Sequence, residues 1–391
     1  MSDRFAVERI ERDSPDVVFL GLLVLLVGVG LVVMYSSSFY YAQKLTGNPQ
    51  HFLKKHVWHL AIGGIMALLA AQMSLDLLRR ITPFLVLFSF ILIMLTFVPG
   101  IGSNAQGAQR WIIILGQSFQ PSELAKLSVL LYLSHIFTKK NDRIDDFFNT
   151  LLPPLLIIGS LAALIYLQND FSTAFFILLI SLAMFFIAGT RLVYFILTGG
   201  VAIPLSIVLL LTKEHRVQRI ISFLNPQIDP VGTGYQVIAA QAALVRGGIW
   251  GSGFGRGTKK LGGLPEAHSD FVFAVLGEEA GFVGILFILT VFIAFAARGF
   301  MISVGCGNKY GHYLSFGMTT AIITQALFNI AVVSGLVPAT GIPLPFFSTG
   351  GSSLLVILIM CGIMLNISRY SARAPARATA RATARNSEAL R

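Results

Sequence analysis

Long uninterrupted apolar runs decide what this chain can fold into. They fall at about 17–38, 56–73, 82–99, 121–138, 150–168, 171–189, 193–211, 271–297, 312–334 and 350–368. A helix crossing the hydrocarbon core of a bilayer needs ~20 apolar residues, and in lipid it satisfies its own backbone polar groups. The runs do not alternate as the roughly ten-residue strands of an outer-membrane barrel do. The expected fold is therefore all-α and polytopic, with about ten transmembrane helices. Only 12% of the residues are charged and 55% are hydrophobic, whereas soluble domains carry about 25% charged residues. Such a surface cannot face water all round, and disorder is excluded by the same balance.

The net charge of +11 could indicate nucleic acid, but its location argues for a membrane address. With the N-terminus cytoplasmic, inside segments hold Arg4, Arg9, Arg12, Arg79, Arg80, Lys139, Lys140, Arg143, Arg191, Arg298, Lys309 and the arginines of the tail. Short outside loops then hold only Lys44, Lys54, Lys55 and Arg110. The positive-inside rule thus places both termini in the cytoplasm and a large loop, 212–270, outside, between the seventh and eighth spans. The chain divides into a cytoplasmic segment 1–16, a transmembrane domain 17–368 and a basic tail 369–391. The first run follows Asp13 and Asp16 and is too long for a signal-peptide core, so it reads as a retained anchor. The Ala/Arg/Thr-rich tail reads either as a solvated extension or as a patch adhering to anionic lipid. Cys306 and Cys361 do not make a disulfide framework.

The outside segments carry the unusual sequence. Residues 100–120 are rich in Gly and polar groups around Arg110-Trp111, and residues 335–349 place Pro338, Pro343 and Pro345 among glycines. The long loop contains a stretch at 234–241 that reads as a short interfacial helix, and a Gly-rich run, 247–257, which lacks the Gly-Lys-Ser/Thr ending of a P-loop.

Charged groups at membrane depth are costly, and each is a functional hypothesis. Glu123 and Lys126, spaced i,i+3 at the start of the fourth span, share a helix face; they read as a helix start with an ion pair, or as a cation and partner awaiting an anion. Asp170 can cap the sixth span or pair with Arg110 or Lys126. Glu266, His268 and Asp270 cluster where the long loop re-enters the bilayer. Desolvation there raises a carboxyl pKa and suits it to general-base work. Their spacing is a weak metal signal, and no metal ligand set is assigned. Glu278 and Glu279 follow within the same span, in structural or chemical roles. These groups outline an outward-facing polar cavity. An enzyme on a lipid-linked substrate and a transporter of an anionic solute fit it equally.

The motifs also resemble the SEDS family (shape, elongation, division and sporulation), which includes FtsW, RodA and SpoVE. The resemblance rests on Gly107-Ala108-Gln109-Arg110-Trp111-Ile112, on 120–127 around Pro121-Ser122-Glu123, on the Asp170 segment, on Leu264 through Phe271 with Gly277-Glu278-Glu279, and on 341–347 followed by Gly350-Gly351-Ser352-Ser353. It covers about residues 15–370. Ser269 stands where Thr is usual, Ser172 where Gly is common and Thr349 where Tyr is typical; no titratable group is lost.

The resemblance implies a peptidoglycan glycosyltransferase in the cytoplasmic (inner) membrane, its active site facing outward. It would polymerise lipid II onto a growing glycan strand by an inverting transfer that forms a β-1,4 bond and releases undecaprenyl pyrophosphate. Asp270 matches the family's catalytic aspartate. Arg110 and Lys126 are expected to hold pyrophosphate, Glu123 and Asp170 to orient those cations, and Glu266 and His268 to tune Asp270 or shape the loop. The implied partners are a class B penicillin-binding protein, which supplies the transpeptidase, and other divisome membrane proteins. No cofactor is evident, and a divalent cation on the pyrophosphate stays open. Val33 through Ser38 and Leu276 through Glu279 favour the division branch over elongation. A lipid II flippase and a non-catalytic scaffold are the alternatives.

Overall fold

The structure is a computed structural model that describes residues 14–105, 108–114, 116–144, 146–225, 232–261, 264 and 266–370. Gly107, Pro265 and the tail from 371, together with 1–13 of the N-terminal segment, lie outside the described residues.

Ten helices coincide with the ten apolar runs: α1 (Val17–Thr46), α2 (His51–Ala70), α3 (Leu75–Leu95), α4 (Pro121–Lys139), α5 (Leu152–Leu167), α6 (Phe171–Ile187), α7 (Leu192–Leu211), α10 (Val272–Gly305), α11 (Lys309–Val333) and α12 (Gly351–Ile367). Among the described residues, five segments are long and apolar enough to cross a membrane: α1, α3, Phe147–Leu167, α10 and α11. α6 and α12 are shorter apolar helices. Large apolar side chains face outward around the bundle, among them Phe84, Ile196, Ile293 and Val304; a surface of that kind is stable against lipid and not against water. The chain is an all-α polytopic membrane protein.

The helices outrun the apolar runs at several ends. α2 begins at His51 and α3 at Leu75, so Lys54, Lys55, Arg79 and Arg80 are helical. Hydropathy marks where side chains become polar, whereas the backbone ladder continues into the interfacial zone, where long basic side chains reach water. Local caps set the boundaries. Asp16 accepts from the Phe19 amide at 2.9 Å and also meets Arg298 Nε of α10 at 2.8 Å. Ser74 caps α3, and Asn308 caps α11 while accepting from Arg79 Nη2 at 3.1 Å.

α4 lies at the centre and packs against α3, α11, α6 and α12. Its run from Pro121 to Leu131 is buried almost throughout, Glu123 and Lys126 included. α2 docks on α12, and α1 packs on α10. The described residues of 100–120, legible in the sequence only as a polar loop, include an antiparallel meander of β1 (Gly102–Ala105), β2 (Ala108–Ile114) and β3 (Gln117–Phe119). It carries Arg110 over the start of α4.

The described residues of the long 212–270 segment are likewise structured. It holds α8 (Glu214–Leu224) and α9 (Thr233–Gly247). α9 is packed on α10, with Val237, Ala239, Ala240 and Ala243 buried, instead of lying on a lipid surface. The glycines make that approach possible: a Cβ on Gly247 would lie 2.0 Å from the Gly277 carbonyl oxygen. Gly281 interrupts α10 at φ 67°, where a Cβ would meet the Gly251 amide at 2.3 Å.

Candidate active site

A polar cavity of about 300 Å³ opens where β2, the first turn of α4, the 266–271 turn and the 341–353 segment converge. Its walls include Lys55, Arg110, Glu123, Lys126, Glu266 and Asp270. Four of the charged residues singled out in the sequence, plus Asp270, thus share one space.

Asp270 ends a tight turn just before α10, outside the spanning segment. Glu266 adopts φ 52°, and its carbonyl accepts from the Ser269 amide at 3.1 Å and the Phe271 amide at 3.3 Å. Asn329 Nδ2, from α11, donates to the Asp270 carbonyl at 2.8 Å and to the Ile342 carbonyl at 2.9 Å. One buried amide therefore fixes the Asp270 turn and the Pro-rich segment together. Burial pushes the Asp270 carboxyl up to about 6, and the neighbouring Glu266 charge adds to the rise; Arg110 and Arg219 oppose it. A carboxyl in that range ionises close to neutral pH and can accept a proton from a hydroxyl.

The cations are held in pairs. Lys126 Nζ lies 2.7 Å from Glu123 Oε2, close in distance but bent off the hydrogen-bond axis, and donates to Gln325 Oε1 at 3.2 Å. Gln325 in turn donates to the Pro343 carbonyl and Ser353 Oγ at 3.0 and 3.1 Å. Arg110 Nη1 meets Asp170 Oδ2 at 3.7 Å, and Gln120 Nε2 donates to the same oxygen at 3.0 Å. The other Asp170 oxygen caps α6 by accepting from the Thr173 amide at 3.2 Å. Both sequence readings of Asp170, cap and partner of Arg110, hold at once because its two oxygens are divided between them.

Among the described residues, three non-glycine residues have positive φ: Asn169 at 64°, Glu266 at 52° and Phe346 at 69°. Each lies beside the cavity or in a segment that forms its wall. Such conformations cost about 1–3 kcal/mol each and persist where the surroundings over-determine them, as at ligand sites.

Two sequence candidates sit elsewhere. His268 is not among the cavity-lining residues; its ring stacks on Tyr41 at 4.5 Å and lies 5.2 Å from Phe52, anchoring the turn to α1 and α2. Desolvation holds its pKa below the usual value despite Glu266. Glu278 and Glu279 belong to a separate latch. Glu279 meets Lys260 Nζ at 2.5 Å and accepts from Ser36 Oγ of α1, and Glu278 accepts from the Thr258 amide at 2.9 Å. Together they pin the Gly-rich segment to the bundle. Among the described residues, no cluster of three His, Cys, Asp or Glu side chains is arranged to hold a metal ion, and Cys306 and Cys361 are free.

Sequence reasoning missed Lys55, His59, Gln120, Arg219, Gln325 and Asn329. A signal existed for the last two: amides four residues apart in an apolar helix fall on one face. Arg219 carried none, because only the placement of α8 brings it within electrostatic reach of Asp270.

Comparison with known proteins gives this arrangement a lineage. Residues 16–373 match the cell cycle protein family of FtsW, RodA and SpoVE. The chain belongs to that family. Its FtsW/RodA/SpoVE relatives include a protein of Geobacter sp. (strain M18) named "Probable peptidoglycan glycosyltransferase FtsW", 39% identical over 91% of this chain and 97% of the relative. A Borreliella burgdorferi protein of the same name is 40% identical over 92% and 98%. Stage V sporulation protein E of Bacillus subtilis is 35% identical over 92% and 99%. Among solved structures, a chain from work on polymerization and crosslinking by a peptidoglycan synthase complex superposes with a TM-score of 0.75 at 27% identity, covering 92% of this chain and 99% of that one. The rod shape determining protein RodA of Thermus thermophilus gives 0.65 at 25% identity, over 92% and 98%.

Proposed function

We propose that this chain is a peptidoglycan glycosyltransferase that polymerises lipid II for septal wall synthesis, with Asp270 as general base. The observation that carries the reading is one carboxyl, pushed up to about 6, in a cavity walled by Arg110 and Lys126. The many FtsW-named relatives support both the activity and the division branch.

The chemistry follows from those groups. The Asp270 carboxylate takes the proton of the 4-hydroxyl of the incoming lipid II. That oxygen attacks the anomeric carbon of the sugar at the reducing end of the growing strand. The bond from that carbon to the diphosphate oxygen breaks, undecaprenyl diphosphate leaves, and the α-linkage becomes a β-1,4 bond. A glycosidase must protonate an alkoxide leaving group. Diphosphate is a weak base and leaves without a strong acid, so a single carboxylate suffices. Arg110 and Lys126 stabilise the charge gathering on the diphosphate. Asp170 and Glu123 hold those two cations in place, Glu266 tunes Asp270, and His268 anchors the turn.

In the same reading the ten helices cross the inner membrane with both termini cytoplasmic. The cavity and the 212–270 segment then face outward, where the positive-inside rule puts them. A class B penicillin-binding protein and other divisome proteins are the partners, and the basic tail adheres to anionic lipid.

The test supplies labelled lipid II to the purified protein with its transpeptidase partner. Wild type forms polymer, and Asp270→Ala, equally folded, forms at least a hundredfold less. Full polymerisation by Asp270→Ala contradicts the base assignment. Transfer of lipid between leaflets without polymer contradicts the enzyme and favours a flippase.

A further inference from the structure

The cations lining the cavity are not all engaged by carboxylates. Arg110 is matched by Asp170 and Lys126 by Glu123. Glu266 accepts from Ser269 Oγ at 2.8 Å and faces His268. Lys55 is different. It lines the same cavity, yet among the described residues its ammonium has no carboxylate partner and makes no hydrogen bond. Its place is not accidental flexibility of a loop: it sits in the second turn of α2, the helix most closely docked on α12. One turn further on, the His59 ring lies so close to Gly351 that a Cβ there would come within 2.5 Å of Nε2. Gly63 is equally tight, where a Cβ would meet Leu358 Cδ1 at 2.6 Å. α2 is thereby fixed against the wall of the cavity, and Lys55 with it.

We propose that Lys55 binds the diphosphate of a lipid-linked substrate from the α2 wall, an inference that rests on the polymerase reading. That reaction brings two lipid-linked diphosphates together, the growing strand and the incoming lipid II. Arg110 and Lys126 are partly neutralised by their own carboxylates, so they tolerate an anion but supply little net charge for a second one. Lys55 supplies a cation that no internal ion pair engages, and an ammonium on a flexible stem meets a diphosphate as a point charge without demanding one geometry. The basic side chain that topology counting assigns to an outside loop is, in the fold, part of the site.

The experiment measures binding of undecaprenyl diphosphate to the full chain in lipid nanodiscs, with undecaprenol as the uncharged control. Lys55→Ala weakens diphosphate binding about tenfold, the size expected for one charge-assisted contact. Lys55→Arg binds within about twofold of wild type, since it keeps the charge. Undecaprenol binds all three alike, and the melting temperature of Lys55→Ala is unchanged because no internal partner is lost. Undiminished diphosphate binding by Lys55→Ala overturns the assignment. So does an equal loss for undecaprenol, which would mean that Lys55 acts by packing. Wild type failing to bind the diphosphate overturns it as well. Binding is read without turnover, so a wild type that binds in this Lys55-dependent way but makes no polymer supports Lys55 and sinks the polymerase.

Discussion

At the scale of the residue, the site is built around a carboxyl kept out of its comfortable state. Asp270 is pushed up to about 6 by burial and by Glu266, so its folded-state pKa exceeds its unfolded value near 3.8. The sign of the linkage follows. The contribution of Asp270 to stability is fully present below about pH 3.8 and is lost as pH rises through about 6. Asp270→Asn therefore raises the melting temperature at pH 7.5, and the difference shrinks towards zero below about pH 4; thermal melts across that range check it. A protein that gains stability while losing activity is what a strained functional group predicts. Asp270, Arg110, Glu123, Lys126 and Asp170 were legible in the sequence because ionisable groups beside apolar runs are rare and conspicuous. Lys55 was not, since a lysine near a helix start looks like an interfacial residue until α2 is docked. The pairings were legible to different degrees: Glu123 with Lys126 follows from i,i+3 spacing, whereas Asp170 had two candidate cations, Arg110 and Lys126, and the placement of the β meander selects Arg110.

At the scale of the element, the Gly-rich 247–257 segment and the two adjacent glutamates of α10 form one mechanical unit. Lys260 and Glu279 are 7% and 2% exposed, so this pair is a buried ion pair joined to Ser36 of α1. Removing one partner of such a pair leaves an uncompensated charge and costs about 3–5 kcal/mol. Lys260→Ala is expected to lower the melting temperature in detergent markedly. The double change Lys260→Met with Glu279→Gln recovers most of the loss, because neither charge remains. A Lys260→Ala protein as stable as wild type would show the latch to be idle. The sequence made the helices of the bundle readable through length and hydropathy, local properties that lipid enforces. It did not reveal the β meander or the docking of α9, because glycine and small residues advertise close approach without saying to what.

At the scale of the whole molecule, one bundle holds a polar cavity at the start of α4 and surrounds it with helices whose outer faces are apolar. The proposed orientation is open to a direct check in a background with Cys306 and Cys361 replaced. A membrane-impermeant maleimide labels Phe254→Cys in intact cells, and labels Asp76→Cys only after lysis; the reverse pattern would invert the topology. Both positions are well exposed. The central claim is that this architecture exists to present Asp270 as the base of a glycosyl transfer, and the pH dependence of kcat/KM for lipid II polymerisation tests it most directly. The account predicts a rate that falls about tenfold per pH unit below about pH 6 and levels off above it. In Glu266→Gln that limb moves to lower pH, since the repelling charge is gone. A profile flat from pH 5 to 8, or a limb that Glu266→Gln leaves in place, would contradict it.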